Sequence, residues 1–181
     1  MKYKYIVFDF NGTIINDVKL CLDLLNKMLV EKNLKPFNME EYKKIFTFPI
    51  IEYYRKAGFT FDNYTYEDLS QEFIVAYQPS SYECELFEGI KETLEKLKSE
   101  GYHLILLSAS EVNNLRLQTD NFDITKYFDA ILGLDNIGAH SKIEIGQKYF
   151  EMNEINPKDC LFIGDSLHDY EVASQLGGEV I

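Results

Sequence analysis

The sequence predicts an α/β protein: a doubly wound parallel sheet with a small helical domain inserted into it. Three observations carry that prediction. Short uninterrupted apolar runs recur at Tyr5 to Phe8, His103 to Leu107, Ala130 to Leu132 and Cys160 to Ile163, the pattern of strands buried on both faces of a parallel sheet. Helix-period stretches lie between the later runs. Residues 17 to about 82 hold helical patterns and no convincing strand. The length, 181 residues, suits one domain with a modest insertion and can bury a core without disulfides.

The elements follow in chain order. Tyr5 to Phe8 stops at Asp9, and Asn11-Gly12-Thr13 signals a turn. Val18, Cys21, Leu22, Leu25, Met28 and Leu29 share one helical stripe. Asn38 with Glu41 has capping-box spacing and opens a second helix through Phe46. Pro49 opens a third, closed by Gly58; Thr65 to Asp68 opens a fourth, running to Tyr77 before Pro79. Asn16-Asp17 and Gln78-Pro79-Ser80-Ser81 read as hinges. Ile90, Thr93, Leu94 and Leu97 share a face before Gly101. The run from His103 stops at Ser108, which predicts a helix start there. Ser141 with Glu144 opens a helix carrying Ile145, Tyr149 and Met152, and Asp169 to Leu176 is a last helix closed by Gly177. Glu179-Val180-Ile181 begins a further strand. The predicted organisation is a core of residues 1–16 and 83–181 with a helical cap of residues 17–82.

Composition narrows the function. The chain has 18 Lys+Arg against 30 Asp+Glu, a formal net charge of −12. Such a surface repels phosphate backbones and anionic lipid, so neither nucleic acid nor a membrane is expected as a partner. Cys21, Cys84 and Cys160 are odd in number and lack CxxC spacing, which argues against zinc or a disulfide framework and for a reducing cytoplasm. No apolar stretch approaches the roughly 20 residues that span a bilayer. The expected oligomeric state is a monomer or weak dimer.

The first, second and fourth apolar runs each deliver a polar residue at the carboxyl end, where open α/β sheets bind ligands. Asp9-Phe10-Asn11-Gly12-Thr13, Ser108, Lys142 and Gly164-Asp165-Ser166-Leu167-His168-Asp169, in that order, resemble the four motifs of the haloacid dehalogenase-like (HAD) superfamily. The inserted helices resemble the cap of its phosphoglycolate phosphatase and β-phosphoglucomutase branch. The resemblance implies a Rossmann-like core and a Mg2+-dependent phosphatase that acts on a small phosphorylated metabolite through an aspartyl-phosphate intermediate. It makes Asp9 the nucleophile. Asp9, the Asn11 backbone carbonyl and Asp165 become metal ligands, with Asp169 a water-mediated ligand or the anchor for Lys142. Ser108 and the Ala109 N–H would bind the phosphoryl group at a helix start, and Lys142 would face both Asp9 and the phosphate. Its cap would close over the carboxyl edge of the sheet.

Each residue has a plainer reading too: Ser108 an N-cap, Lys142 a solvated helix-start lysine, Asp169 a first-turn acid favoured by the helix dipole. His103 and His140 read as structural or solvated, and Tyr53 and Tyr54 as packing.

Asn11 departs from the family pattern. Family phosphatases generally carry a second aspartate there, which protonates the leaving oxygen and later activates water. An amide can do neither, and general acid–base catalysis is typically worth about 10²–10⁴-fold. The alternative is therefore a catalytically weak HAD-like protein that binds a phosphorylated ligand or a protein partner. A 2-haloacid dehalogenase or a phosphonatase fits less well. The first needs no metal although Asp165 and Asp169 form a complete acidic pair, and nothing marks Lys19, Lys27 or Lys43 as the desolvated lysine the second requires.

Overall fold

The computed structural model describes residues 2–134 and 141–181. In chain order its elements are β1 (Tyr5–Phe8), β2 (Ile15–Asn16), α1 (Val18–Glu31), α2 (Met39–Ile45), α3 (Ile50–Ala57), α4 (Tyr66–Ser81), β3 (Glu85–Leu86), α5 (Ile90–Ser99), β4 (His103–Glu111), α6 (Val112–Asn121), β5 (Ala130–Leu134), α7 (Lys142–Met152), β6 (Cys160–Ile163), α8 (Leu167–Leu176) and β7 (Glu179–Val180). The chain forms two compact units. One joins the residues up to Asn16 to Glu85–Ile181, and the other is Asp17–Cys84.

The first unit is a five-stranded parallel sheet in the order β5-β4-β1-β6-β7. Connections from β1 outward to β4 and β5 carry α5 and α6. The return through β6 to β7 carries α7 and α8. Right-handed crossovers place the two sets on opposite faces, which is the doubly wound α/β fold. Side chains alternate accordingly. Val7, Ile105 and Phe162, level with one another across β1, β4 and β6, join Phe150 of α7 and Val172, Ala173 and Leu176 of α8 in one core. Ile6, Phe8, Leu104 and Leu106, buried on the same strands, point the other way.

Both faces being covered explains why these strands read as unbroken apolar runs. Each face buries several large side chains, at about 1.5–3 kcal/mol apiece relative to leaving them exposed.

Two boundaries differ most from expectation, and one element was not expected. Strand β4 does not stop at Ser108; it continues to Glu111, whose side chain caps α6 by accepting from the N–H groups of Asn113 and Asn114. The register of β4 against β5 shifts between Leu107 and Glu111, so the strand bends through Ser108 to Ser110 rather than ending. Helix α4 runs past Tyr77 and contains Pro79, so residues 78–81 are helical and not a hinge. A two-stranded antiparallel ribbon, β2 with β3, joins Ile15 to Leu86 and Asn16 to Glu85. Two residues per strand are too few to show a period. His140 lies outside the described residues.

The second unit is helical. The stripe on α1 buries Leu22, Leu25, Met28 and Leu29 against Tyr42, Tyr53, Tyr54, Phe59 and Leu69. Capping boxes close the starts of α2, through Asn38 and Glu41, and of α4, through Thr65 and Asp68. Gly58 ends α3 in the left-handed conformation at φ +105°. Asp17, only 2% exposed, accepts a hydrogen bond from the Tyr77 hydroxyl at 2.6 Å, which offsets the cost of burying its carboxylate. No helix among the described residues is long and apolar enough to cross a membrane.

Candidate active site

Strand order reverses at β1, with β4 on one side and β6 on the other. Residues that follow these three strands therefore meet at one rim, the place where open α/β sheets bind ligands. Asp9 follows β1 directly, its N–H donating to the Ile163 carbonyl at 2.9 Å. The chain then turns tightly. The Phe10 carbonyl accepts from the N–H groups of Ile14 and Ile15 at 2.8 and 3.0 Å.

Gly12 sits in this turn at φ +77°, and a Cβ there would lie 2.5 Å from Oδ2 of Asp165. Only glycine lets the turn and that carboxylate share the space. Gly12→Ala is accordingly expected to cost about 1–2 kcal/mol from the left-handed backbone alone. It should also displace Asp165. Urea unfolding reads the first effect.

Asp165 follows β6 and is exposed; its Oδ1 accepts from the Thr13 hydroxyl at 3.2 Å. The next residue opens α8. Ser166 and Asp169 form a capping box, with Asp169 Oδ2 accepting from the Ser166 N–H at 3.2 Å and from its hydroxyl at 2.6 Å. That arrangement fixes the Asp169 carboxylate and aims its other oxygen, Oδ1, at Lys142.

Lys142 is the first residue of α7, behind the N-cap Ser141. Its Nζ donates to Asp169 Oδ1 at 2.6 Å and to Asp9 Oδ1 at 2.7 Å. Lys142 and Asp169 are each only 6% exposed, so the ammonium binds two carboxylates largely out of water.

The ionisations follow from this packing. Burial pushes the Asp9 carboxyl up to about 6, against the pull of the Lys142 ammonium, and the Asp169 charge adds to the rise. Burial acts on Asp169 in the same sense, but Lys142 and the bonds from Ser166 outweigh it and hold that carboxyl below its usual range. Burial alone would lower Lys142; the two carboxylates outweigh it and keep the amine protonated.

Carboxylate oxygens of Asp9, Asp165 and Asp169 lie within 4.8 Å of one another. An all-oxygen acidic set suits a hard divalent cation such as Mg2+. The space over Gly12 that a Cβ would fill keeps Asp165 inside the cluster. The donor set therefore fits Mg2+. Asp169 has Lys142 on one oxygen and Ser166 on the other.

Of the remaining expected residues, Ser108 is buried at the bend of β4, and its Oγ accepts from the Ser110 N–H at 3.1 Å. Ala109 lies in the strand and not at a helix start, because the N-cap is Glu111. The structure also brings in a residue the sequence reading passed over. The Ser110 hydroxyl donates to Oδ1 of Asn11 at 3.0 Å. A second serine two positions after Ser108 was the available signal, since alternate residues of an extended chain share a side.

The model of the haloacid dehalogenase-like hydrolase family matches residues 6–181. Pyrophosphatase PpaX of Bacillus mycoides is 24% identical over 193 aligned positions, covering 100% of this chain and 83% of that protein. PpaX of a Bacillus cereus strain is 26% identical, covering 93% of this chain and 77% of its own length. Among solved structures, a haloacid dehalogenase-like family hydrolase from Streptococcus pneumoniae superposes with a TM-score of 0.81 at 20% identity, over 99% of this chain and 83% of that one. A predicted phosphoglycolate phosphatase from Haemophilus somnus gives a TM-score of 0.79 at 23% identity, over 99% of this chain and 84% of the other.

Proposed function

This chain belongs to the haloacid dehalogenase-like hydrolases, and from that membership and the geometry of the rim we propose a Mg2+-dependent phosphatase acting on a small phosphorylated metabolite. The observation that carries the reading is the bridge from Lys142 to Asp9 and Asp169 beside Asp165. A lone lysine or a lone acid at a helix start has an ordinary structural explanation. A buried ammonium that fixes one carboxylate at the end of the central strand, with a second acidic group alongside, is what an in-line attack on phosphorus requires.

In this reading Asp9 is the nucleophile. One of its carboxylate oxygens attacks phosphorus, and the leaving oxygen departs with its electron pair, giving an acyl phosphate on Asp9. Lys142 orients Asp9 and supplies positive charge to the phosphoryl oxygens. Asp169, held by Ser166, keeps that ammonium in place and charged. Ser108 contributes a hydroxyl near the same oxygens, and the Ala109 N–H, on the bend of β4, a second donor. Water then attacks the phosphorus of the intermediate, releasing inorganic phosphate and restoring Asp9. Asp9, Asp165 and the Asn11 backbone carbonyl would hold the Mg2+, which when bound would neutralise phosphoryl charge and favour the ionised form of Asp9.

Asn11 supports a second reading, in which the chain binds a phosphorylated ligand with little turnover. Its amide, tied to Ser110, has no proton to give at neutral pH.

Both readings meet one assay. Phosphate release from a panel of phosphorylated metabolites is measured with Mg2+ and again with excess EDTA. Turnover that EDTA abolishes and added Mg2+ restores is the expected result. Turnover indifferent to chelation sinks the metal-dependent mechanism. Calorimetric binding with no turnover on any substrate favours the ligand-binding reading.

A further inference from the structure

The pair made by Asn11 and Ser110 bears on which substrates the site can process. Asn11 is the second residue after Asp9, within the turn that Gly12 completes. Ser110 lies at the bend of β4, and its hydroxyl hydrogen is committed to Oδ1 of Asn11 at 3.0 Å. The Ser110 N–H is in turn committed to Ser108 Oγ at 3.1 Å. The amide, itself in the turn after β1, is thus tied to the bend of β4. What it can present to a ligand is a hydrogen-bond donor or acceptor, never a transferable proton.

That restriction acts unequally on the two halves of the reaction. When Asp9 attacks, the bond between phosphorus and the leaving oxygen breaks, and its electron pair stays on that oxygen. An alkoxide made this way is strongly basic and must be protonated as it leaves, so an acid is needed. A carboxylate or a phosphate leaves as a weak base, with conjugate-acid pKa values of about 4 and 6, and needs no proton. In the second half, water attacking the Asp9 phosphate must lose a proton whatever the original substrate was. No leaving group can help at that point.

We propose that the Asn11–Ser110 pair makes this site selective for acyl phosphates and phosphoanhydrides over phosphate esters of alcohols, and that the phosphoryl group accumulates on Asp9. The inference deepens the proposed function and rests on Asp9 as nucleophile. Ser110 is a positioning residue in it: the hydroxyl acts through Asn11.

The test uses the full chain with Mg2+ and compares acetyl phosphate, aryl phosphates of graded phenol acidity, and ethyl phosphate. For the wild type, the rate is expected to fall steeply as the leaving group becomes more basic. Acetyl phosphate should release a rapid burst of acetate, about one equivalent per site, before a slower steady phase, and intact-mass analysis should find a phosphoryl group that Asp9→Asn removes. Asn11→Asp should flatten the leaving-group dependence, raise phenyl phosphate turnover about 10²–10⁴-fold and abolish the burst. The inference is overturned if wild-type protein turns over ethyl phosphate as readily as nitrophenyl phosphate, or if no burst precedes steady turnover of acetyl phosphate. Both observations need only the wild-type protein, so they decide the matter even if Asn11→Asp misfolds. Should no donor yield phosphate or a labelled protein from either variant, the assignment of Asp9 as nucleophile falls, and this inference with it.

Discussion

Lys142→Met is expected to destabilise the protein by about 3–5 kcal/mol, the usual cost of removing one partner from a buried ion pair. The magnitude follows from where the charges sit. The Lys142 side chain is 5% exposed, and its partners Asp9 and Asp169 are 12% and 8% exposed. Without the ammonium, two carboxylates face each other with little water to solvate them. Methionine, unbranched and one atom shorter, keeps most of the packing of the lysine stem, so the loss reports chiefly charge. Urea unfolding measures it, and the double variant Lys142→Met with Asp169→Asn should recover part of it by removing one stranded charge. A loss under about 1 kcal/mol, the range of an exposed ion pair, would show that water reaches the cluster.

Asp9→Asn is expected to lower turnover by a factor on the order of 10³–10⁶, the range found when a covalent nucleophile is removed. An amide nitrogen or oxygen in that place cannot form and release an acyl phosphate. The fold should tolerate the change, because Lys142 keeps its bond to Asp169. Retained unfolding midpoint with lost phosphate release from acetyl phosphate is the expected pair of results. Residual activity within about tenfold of wild type would place the nucleophile elsewhere.

Much of the sheet was legible because burial on both faces writes itself as an apolar run. Strands β1 and β6 begin and end where those runs do. Gly58 and Gly177 marked helix ends because each adopts a left-handed backbone, at φ +105° and +87°. Asp9, Asp165, Asp169 and Lys142 could be read as candidates because each stands at a strand end or helix start. Their hydrogen bonds could not be read, since 133 positions separate Lys142 from Asp9.

Ser108 misled for a physical reason. A polar residue after an apolar run resembles a helix start, yet β4 here bends and goes on, and Glu111 supplies the cap. Pro79 misled as well: α4 runs through it and ends two residues later, at Ser81, forgoing the one backward hydrogen bond that proline cannot donate. Ser110 carried no motif of its own. Its role comes from the partner that the bend of β4 brings within reach.

The position of β1 has a consequence for how the chain reaches this state. Tyr5 pairs with His103 on one side and Cys160 on the other, and the helical unit of Asp17–Cys84 is translated between the first strand and either neighbour. On the ribosome, that helical unit can satisfy its local contacts while β1 still has two bare hydrogen-bonding edges. Such high contact order slows assembly and lengthens exposure of an aggregation-prone strand. The nascent chain therefore depends on late synthesis of β6 to bury the segment that delivers Asp9.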